Sequence, residues 1–155
     1  MLIGKGTESV TVVSGILGVC PGDLRLAMGL THITVRMRSL SRKGKPYEAE
    51  FLVDTGAVDC MAPANRLRAA GIKPEGKAIY ELAKENGDPV EYEYGFARIA
   101  FFGTETVAQV IFGPTDVEPI LGVVALENAG ITVDPVTKTL KRLPAKPLKL
   151  YHQKS

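Results

Sequence analysis

The chain has few of the residues from which metal sites and disulfide frameworks are built. Its 155 residues include two cysteines, two histidines and no tryptophan. Cys20 and Cys60 lie far apart, form no CxxC pattern, and have no metal-type spacing to His32 or His152. This argues against a structural zinc site and fits two reduced thiols in a cytoplasm. We therefore expect a cytoplasmic protein without a bound metal.

The chain also lacks a strong charge excess and a long apolar run. Nineteen basic residues face 17 acidic ones, for a net charge of +2, so nothing in the balance favours nucleic acid or an anionic membrane. The apolar stretch 10–20 is short, contains Ser14, and follows Glu8, which argues against a signal peptide or membrane anchor. We expect the partner to be a peptide or another protein.

The length and the 45% of hydrophobic residues are enough for one core but not for two. Before Met28 the sequence is rich in glycine and has no sustained period. Residues 1–27 are therefore predicted to be an N-terminal extension, either disordered or not part of the working protein, with Met28 as an alternative start. Residues 28–143 are predicted to form one domain. The last segment, 144–155, is predicted to be a solvated basic tail.

Most of the domain has the patterns of short strands. Ile33, Val35 and Met37 alternate with polar residues, and residues 47–53 alternate in the same way up to Asp54. Asn86-Gly87 has the chemistry of a hairpin turn. Further strands are predicted at 79–82, 91–101, 107–112, 131–133 and 139–143, with short helices at 63–70 and 123–129. Strands and helices do not alternate as they do in βαβ folds, so these patterns indicate a mainly β fold. We expect a closed antiparallel β-barrel with one or two short helices.

One apolar strand ends in the string Asp54-Thr55-Gly56-Ala57. Such a strand delivers its last residues to the interior or to a cleft, where an isolated carboxylate is costly. Gly56 permits a close backbone approach, the Thr55 hydroxyl can hold neighbouring backbone, and Ala57 keeps the floor of a cleft small. Taken alone, the string is also compatible with an ordinary turn aspartate.

A second element follows later in the chain. Ile120-Leu121-Gly122 leads into a short helix and then to a strand that reaches the turn Asp134-Pro135. The two elements together, in this order and in a β-rich chain, resemble the pattern of retropepsin-like aspartic proteases, in particular the small prokaryotic single-domain members. The resemblance covers residues 28–143 and implies a barrel of the acid-protease type with one lobe per chain.

The resemblance implies roles for individual residues. Asp54 would be the catalytic carboxylate, with Thr55 making hydrogen bonds between subunits and Gly56 completing the catalytic motif. Asn86-Gly87 would be the tip of a flap over the bound peptide. Cys60 departs from the family, since a small hydroxyl residue is commoner near its position. The substrate-binding residues implied by the resemblance are Ala57, Asp59, Asn86, Gly87, Ile120, Leu121 and Gly122.

This chemistry needs two carboxylates that share one proton, and the chain carries only one such motif. The resemblance therefore implies a homodimer in which Asp54 of each copy joins a dyad that activates water to hydrolyse a peptide bond, with no cofactor or metal. The alternative is a non-catalytic dimeric module on the same fold that binds peptides or proteins. The intact motif favours the endopeptidase, because a binding module has no use for two carboxylates that repel each other.

Overall fold

The computed structural model describes residues 2–3, 10–11, 31–81 and 87–145 of the chain. This part of the chain is mainly β, with two short helices, as predicted. The strands are β1 (Leu2–Ile3), β2 (Val10–Thr11), β3 (Thr31–Arg38), β4 (Tyr47–Asp54), β5 (Cys60–Pro63), β6 (Pro74–Glu81), β7 (Pro89–Phe101), β8 (Thr104–Gly113), β9 (Ile120–Gly122), β10 (Ile131–Val133) and β11 (Thr139–Arg142).

The alternation of β3 and β4 is visible in their burial. Ile33, Val35 and Met37 of β3 are buried, while the residues between them are exposed. Phe51 and Val53 are buried in the second half of β4, with the partly exposed Leu52 between them. Strand β4 pairs antiparallel with β3 along its length. Both strands are thus confirmed, and their apolar faces meet in one core.

Seven strands form the main sheet, in the order β3-β4-β9-β5-β8-β7-β6. Strand β3 also pairs with β7, so the pairings link six of these strands in a ring from which β6 projects beside β7. Most pairs are antiparallel as expected, but β4–β9 and β5–β8 are parallel. The parallel pairs were not predicted, because β5 and β9 have only four and three residues, too few for a periodic pattern to show.

The two helices lie close to where the sequence places them. Helix α1 (Ala64–Ala69) follows Pro63 and buries Leu67, and Gly71 beyond it has a φ of +79°. Helix α2 (Val123–Asn128) is followed by Gly130 with a φ of +71°. A glycine with positive φ is a common helix stop, since other residues are strained there. The helices and the sheet share one core, whose largest fully buried side chains include Phe51, Met37, Leu67, Ile72, Ile99, Leu121, Ile131 and Leu140.

A second sheet has the order β1-β2-β11-β10. It includes the described residues of the predicted N-terminal extension, since Val10 pairs with Leu140 and Thr11 with Thr139. This pairing with β11 was not predicted from the sequence. The domain boundary at residue 28 stays a prediction. Among the residues described, no helix combines the length and the apolar character needed to cross a membrane.

Deletion of residues 1–27 tests that boundary. We expect the truncated chain to keep a single cooperative unfolding transition, with a loss of at most about 2 kcal/mol, because two residue pairs join the described residues of this segment to β11. Urea unfolding followed by circular dichroism measures it. Loss of the cooperative transition would mean that the segment belongs to the folding unit.

Candidate active site

Asp54 is the last residue of β4 and lies just beyond the core. Its neighbour Val53 is buried, whereas Asp54 itself is partly exposed. The Gly56 backbone N–H donates to Asp54 Oδ1 at 2.9 Å, and the Ala57 N–H donates to the Asp54 carbonyl at 3.2 Å. The chain therefore turns immediately after the aspartate, and a charge-assisted hydrogen bond orients its carboxylate.

Strand β9 supports this turn from the side. Asp54 is the parallel register partner of Gly122, so the two motifs recognised in the sequence lie next to each other. A Cβ atom on Gly122 would be only 2.5 Å from the Asp59 carbonyl oxygen. Because no side chain fits in that space, the backbone after Asp54 packs directly on the backbone of β9.

The start of α2 completes the support. The Val123 N–H donates to the Ala57 carbonyl at 2.8 Å, and the Val124 N–H donates to the Val58 carbonyl at 3.2 Å. The first N–H groups of a helix have no partner within the helix. Here the loop that follows Asp54 supplies acceptors to two of them, which ties the loop to the helix.

Asp54 lies in a cleft with a volume of about 330 Å³. Its lining is largely apolar, and two residues of the β6–β7 hairpin, Tyr80 and Glu81, contribute to it. Five of the residues proposed from the sequence share this cleft, namely Asp54, Gly56, Ala57, Asp59 and Ile120. The others that line it are Val58, Met61, Tyr80, Glu81 and Ile111.

Two of the predicted substrate-binding residues lie behind the cleft instead. Leu121 is fully buried in the core, and Gly122 is covered by the backbone of Asp59. Side chains alternate along a strand, so when Ile120 faces the cleft, Leu121 must face the core. These two residues hold the site in place and do not line it.

Thr55 lies apart from the cleft. Its side chain is exposed and borders a small cavity of about 50 Å³ beside the turn at Asp134-Pro135. Within the described part of the chain its hydroxyl makes no hydrogen bond. The hydroxyl is therefore available to a partner from outside the chain.

The predicted hairpin is present, with β6 and β7 pairing from Pro74–Gly95 out to Glu81–Pro89. Asn86 lies outside the described residues. Gly87 is exposed and has a φ of +58°, the left-handed conformation that suits glycine at a turn, but it does not line the cleft.

Sequence reasoning missed Gln109 altogether and gave Tyr80 no polar role. Gln109, on β8, donates from Nε2 to Asp59 Oδ2 at 3.1 Å and to the Tyr80 hydroxyl at 3.0 Å. Burial raises the pKa of the Asp59 carboxyl. Burial also raises the pKa of Tyr80, and the nearby Asp59 charge adds to the increase. These contacts join residues far apart in sequence, so no local motif could signal them.

Cys60 is a buried thiol that lies in sequence between the cleft residues Asp59 and Met61. Burial raises its pKa to about 12, the Asp59 charge adds to this, and a hydrogen bond with the Gly122 backbone partly offsets it. The thiol therefore stays protonated at neutral pH. It packs as a small apolar side chain and not as a nucleophile.

No family model matches the chain, and no curated protein matches it. Solved structures similar to it include the protease of simian foamy virus (mac), with 14% identity over 62% of this chain and 91% of that one, at a TM-score of 0.43. They also include a retropepsin-like aspartic protease from Rickettsia conorii, with 20% identity over 73% of this chain and 85% of that one, at a TM-score of 0.45.

Gly122→Ala tests the backbone contact behind Asp54. We expect it to lower the free energy of unfolding by about 1–3 kcal/mol, because the added methyl group collides with backbone that cannot turn aside. Chemical denaturation measures the change. Gly87→Ala is the control: a Cβ there meets nothing within 4 Å, so it carries only the cost of a positive φ, about 1–2 kcal/mol. A Gly122→Ala protein as stable as the wild type would contradict the tight contact.

Proposed function

We propose that the chain is an aspartic endopeptidase that works as a homodimer, with Asp54 of two copies forming the catalytic dyad. The observation that carries this is the setting of Asp54: a carboxylate at the end of a core strand, oriented by the Gly56 N–H, on the floor of a cleft that Tyr80 of a β-hairpin also lines. A turn aspartate with no function needs neither the cleft nor the supporting backbone contact at Gly122.

The chemistry follows from bringing two such carboxylates together. Like charges a few ångströms apart do not both ionise, so the pair shares one proton. The ionised Asp54 takes a proton from water as the water attacks the scissile carbonyl carbon, and the protonated Asp54 donates a hydrogen bond to the carbonyl oxygen. The Asp54 that took the proton from water then gives it to the leaving nitrogen, and the tetrahedral intermediate collapses with cleavage of the C–N bond. No cofactor takes part in these steps.

Several features support the dimer and the substrate site. The exposed Thr55 hydroxyl is free to bond with the second subunit, next to the residue that must lie on the twofold axis. Ala57, Asp59 and Ile120 line the cleft with Asp54, where they would contact a peptide, and the hairpin tip at 86–87 would close over it.

We further propose that the ring of paired strands closes into a barrel and that the protein is cytoplasmic.

Asp54→Asn is the direct test of the chemistry. We expect peptide hydrolysis to fall at least about 10³-fold, since both the base and the shared proton are lost, while stability stays level or rises because two crowded carboxyls are removed. Cleavage of a mixed peptide library, read by mass spectrometry over a range of pH, measures the activity. In the wild type, activity should peak at intermediate pH, lost on the acid side when both carboxyls are protonated and on the alkaline side when both are ionised.

Hydrolysis by the Asn variant equal to that of the wild type would exclude Asp54 as the catalyst. A wild type that binds library peptides and cuts none at any pH would be a peptide-binding module instead. The thermal unfolding of both proteins shows whether loss of activity reflects loss of fold.

Mixed dimers test whether two copies are needed. Wild-type and Asp54→Asn chains, equilibrated in equal amounts, should show roughly a quarter of the activity of the same total concentration of wild type, because only one dimer in four has two aspartates. A value near one half would mean that each chain acts alone. Sedimentation at the assay concentration should show a dimer, and a monomer that cleaves peptides would exclude the proposed dyad.

A further inference from the structure

Gln109 connects the floor of the cleft to the hairpin above it. It lies on β8, outside the set of residues that line the cleft, and its Nε2 lies 3.1 Å from Asp59 Oδ2 and 3.0 Å from the Tyr80 hydroxyl. Asp59 comes from the loop before β5, and Tyr80 from β6. One side-chain amide thus holds two cleft residues that belong to separate parts of the fold.

The donors and acceptors at this point can be counted. An ionised carboxylate only accepts hydrogen bonds, so Gln109 must present its NH₂ group to Asp59. The same nitrogen is the neighbour of the Tyr80 hydroxyl, which makes Tyr80 an acceptor in this contact. Both hydrogens of the amide are thereby used, and neither acceptor has to share one with the other.

This arrangement leaves one free group on each of the two cleft residues. The hydrogen of the Tyr80 hydroxyl is not used by Gln109, and neither is Asp59 Oδ1. In the described part of the chain, neither side chain makes a hydrogen bond to any other group. Both residues line the cleft that contains Asp54. The cleft therefore contains a donor on Tyr80 and an acceptor on Asp59 that Gln109 leaves unpaired, in a lining that also includes the carboxylates of Asp54 and Glu81.

We propose that Gln109 is a positioning residue that holds Asp59 and Tyr80 as an acceptor and donor pair for the peptide backbone of the substrate. A peptide unit carries one N–H and one C=O, and Asp59 would accept from the first while Tyr80 donates to the second. Such a pair would recognise the backbone of the substrate and not its side chains. The inference rests on the proposed function for its substrate, but its binding step does not require hydrolysis.

Tyr92 provides a matched comparison within the same hairpin. Its ring lies 6.4 Å from that of Tyr80, yet it does not line the cleft, and its hydroxyl makes no hydrogen bond to the residues described. Tyr80→Phe and Tyr92→Phe remove the same group from neighbouring rings. Only Tyr80→Phe should weaken peptide binding.

The test measures binding in the Asp54→Asn background, so that it does not depend on cleavage. The probe is the fluorescein-labelled library peptide that binds this variant most tightly, followed by fluorescence anisotropy. Gln109→Leu and Tyr80→Phe should each weaken binding roughly 2- to 10-fold, as loss of a hydrogen bond does. The double variant should weaken binding by less than the product of the two single fold-changes, because both changes break the same hydrogen-bond network. Tyr92→Phe should have no effect.

Backbone N-methylation of the probe shows whether the peptide N–H is read. In the Asp54→Asn background, methylation at one peptide position should weaken binding when Gln109 is intact, with or without Tyr92→Phe. This loss of affinity should largely disappear when Gln109→Leu or Asp59→Leu is added. If the loss of affinity is the same with and without Gln109, or if no library peptide binds, the inference is overturned. Should Gln109→Leu unfold, Tyr80→Phe and Asp59→Leu still decide it, since unchanged binding by both excludes the pair.

Kinetics on the chain with Asp54 intact separate this inference from the proposed function. If the wild type cleaves peptides, Gln109→Leu should raise KM more than it lowers kcat, whereas a merely structural residue would lower activity in parallel with stability. Peptide binding that depends on Gln109 without any cleavage would support the positioning role of Gln109 and exclude the endopeptidase activity. Cleavage with a KM that does not depend on Gln109 would support the endopeptidase activity and exclude the positioning role.

Discussion

The close contact between two backbones, at Gly122 and at the loop after Asp54, is the constraint on which the rest of the site depends. Gly122 pairs with Asp54 in parallel register, and its missing side chain lets the Asp59 carbonyl approach to a distance that no Cβ would allow. Without this approach the loop after Asp54 would move outward, and the hydrogen bonds from α2 to the Ala57 and Val58 carbonyls would be lost.

The contact also explains how a polar group is held at the edge of an apolar core. Asp54 follows the buried Val53 directly, and it avoids burial only because the chain turns at once, with its carboxylate bonded to the Gly56 N–H. Fixing the turn therefore fixes the direction of the carboxylate. A carboxylate with a defined direction and an open side is what acid–base chemistry requires, since proton transfer depends first on geometry.

The remainder of the cleft combines contributions from distant parts of the chain. The floor comes from the end of β4 and the residues after it and from single residues of β5, β8 and β9, while β6 contributes Tyr80 and Glu81 from the hairpin. Gln109 belongs to neither group, yet it bonds to both Asp59 and Tyr80. The floor and the hairpin thus share a polar link that no sequence motif signals.

The sequence by itself determined the strands with strict alternation, the two short helices, and the motif Asp54-Thr55-Gly56-Ala57 with its partner at 120–122, because each is encoded in neighbouring residues. The order and direction of the strands were decided only by the tertiary structure. The parallel pairs β4–β9 and β5–β8 involve strands too short to show a period, and the pairing of Val10–Thr11 with β11 joins the two ends of the chain. The same holds for burial of Leu121 and for the bonds of Gln109, since both depend on which residues the fold brings together across long stretches of sequence.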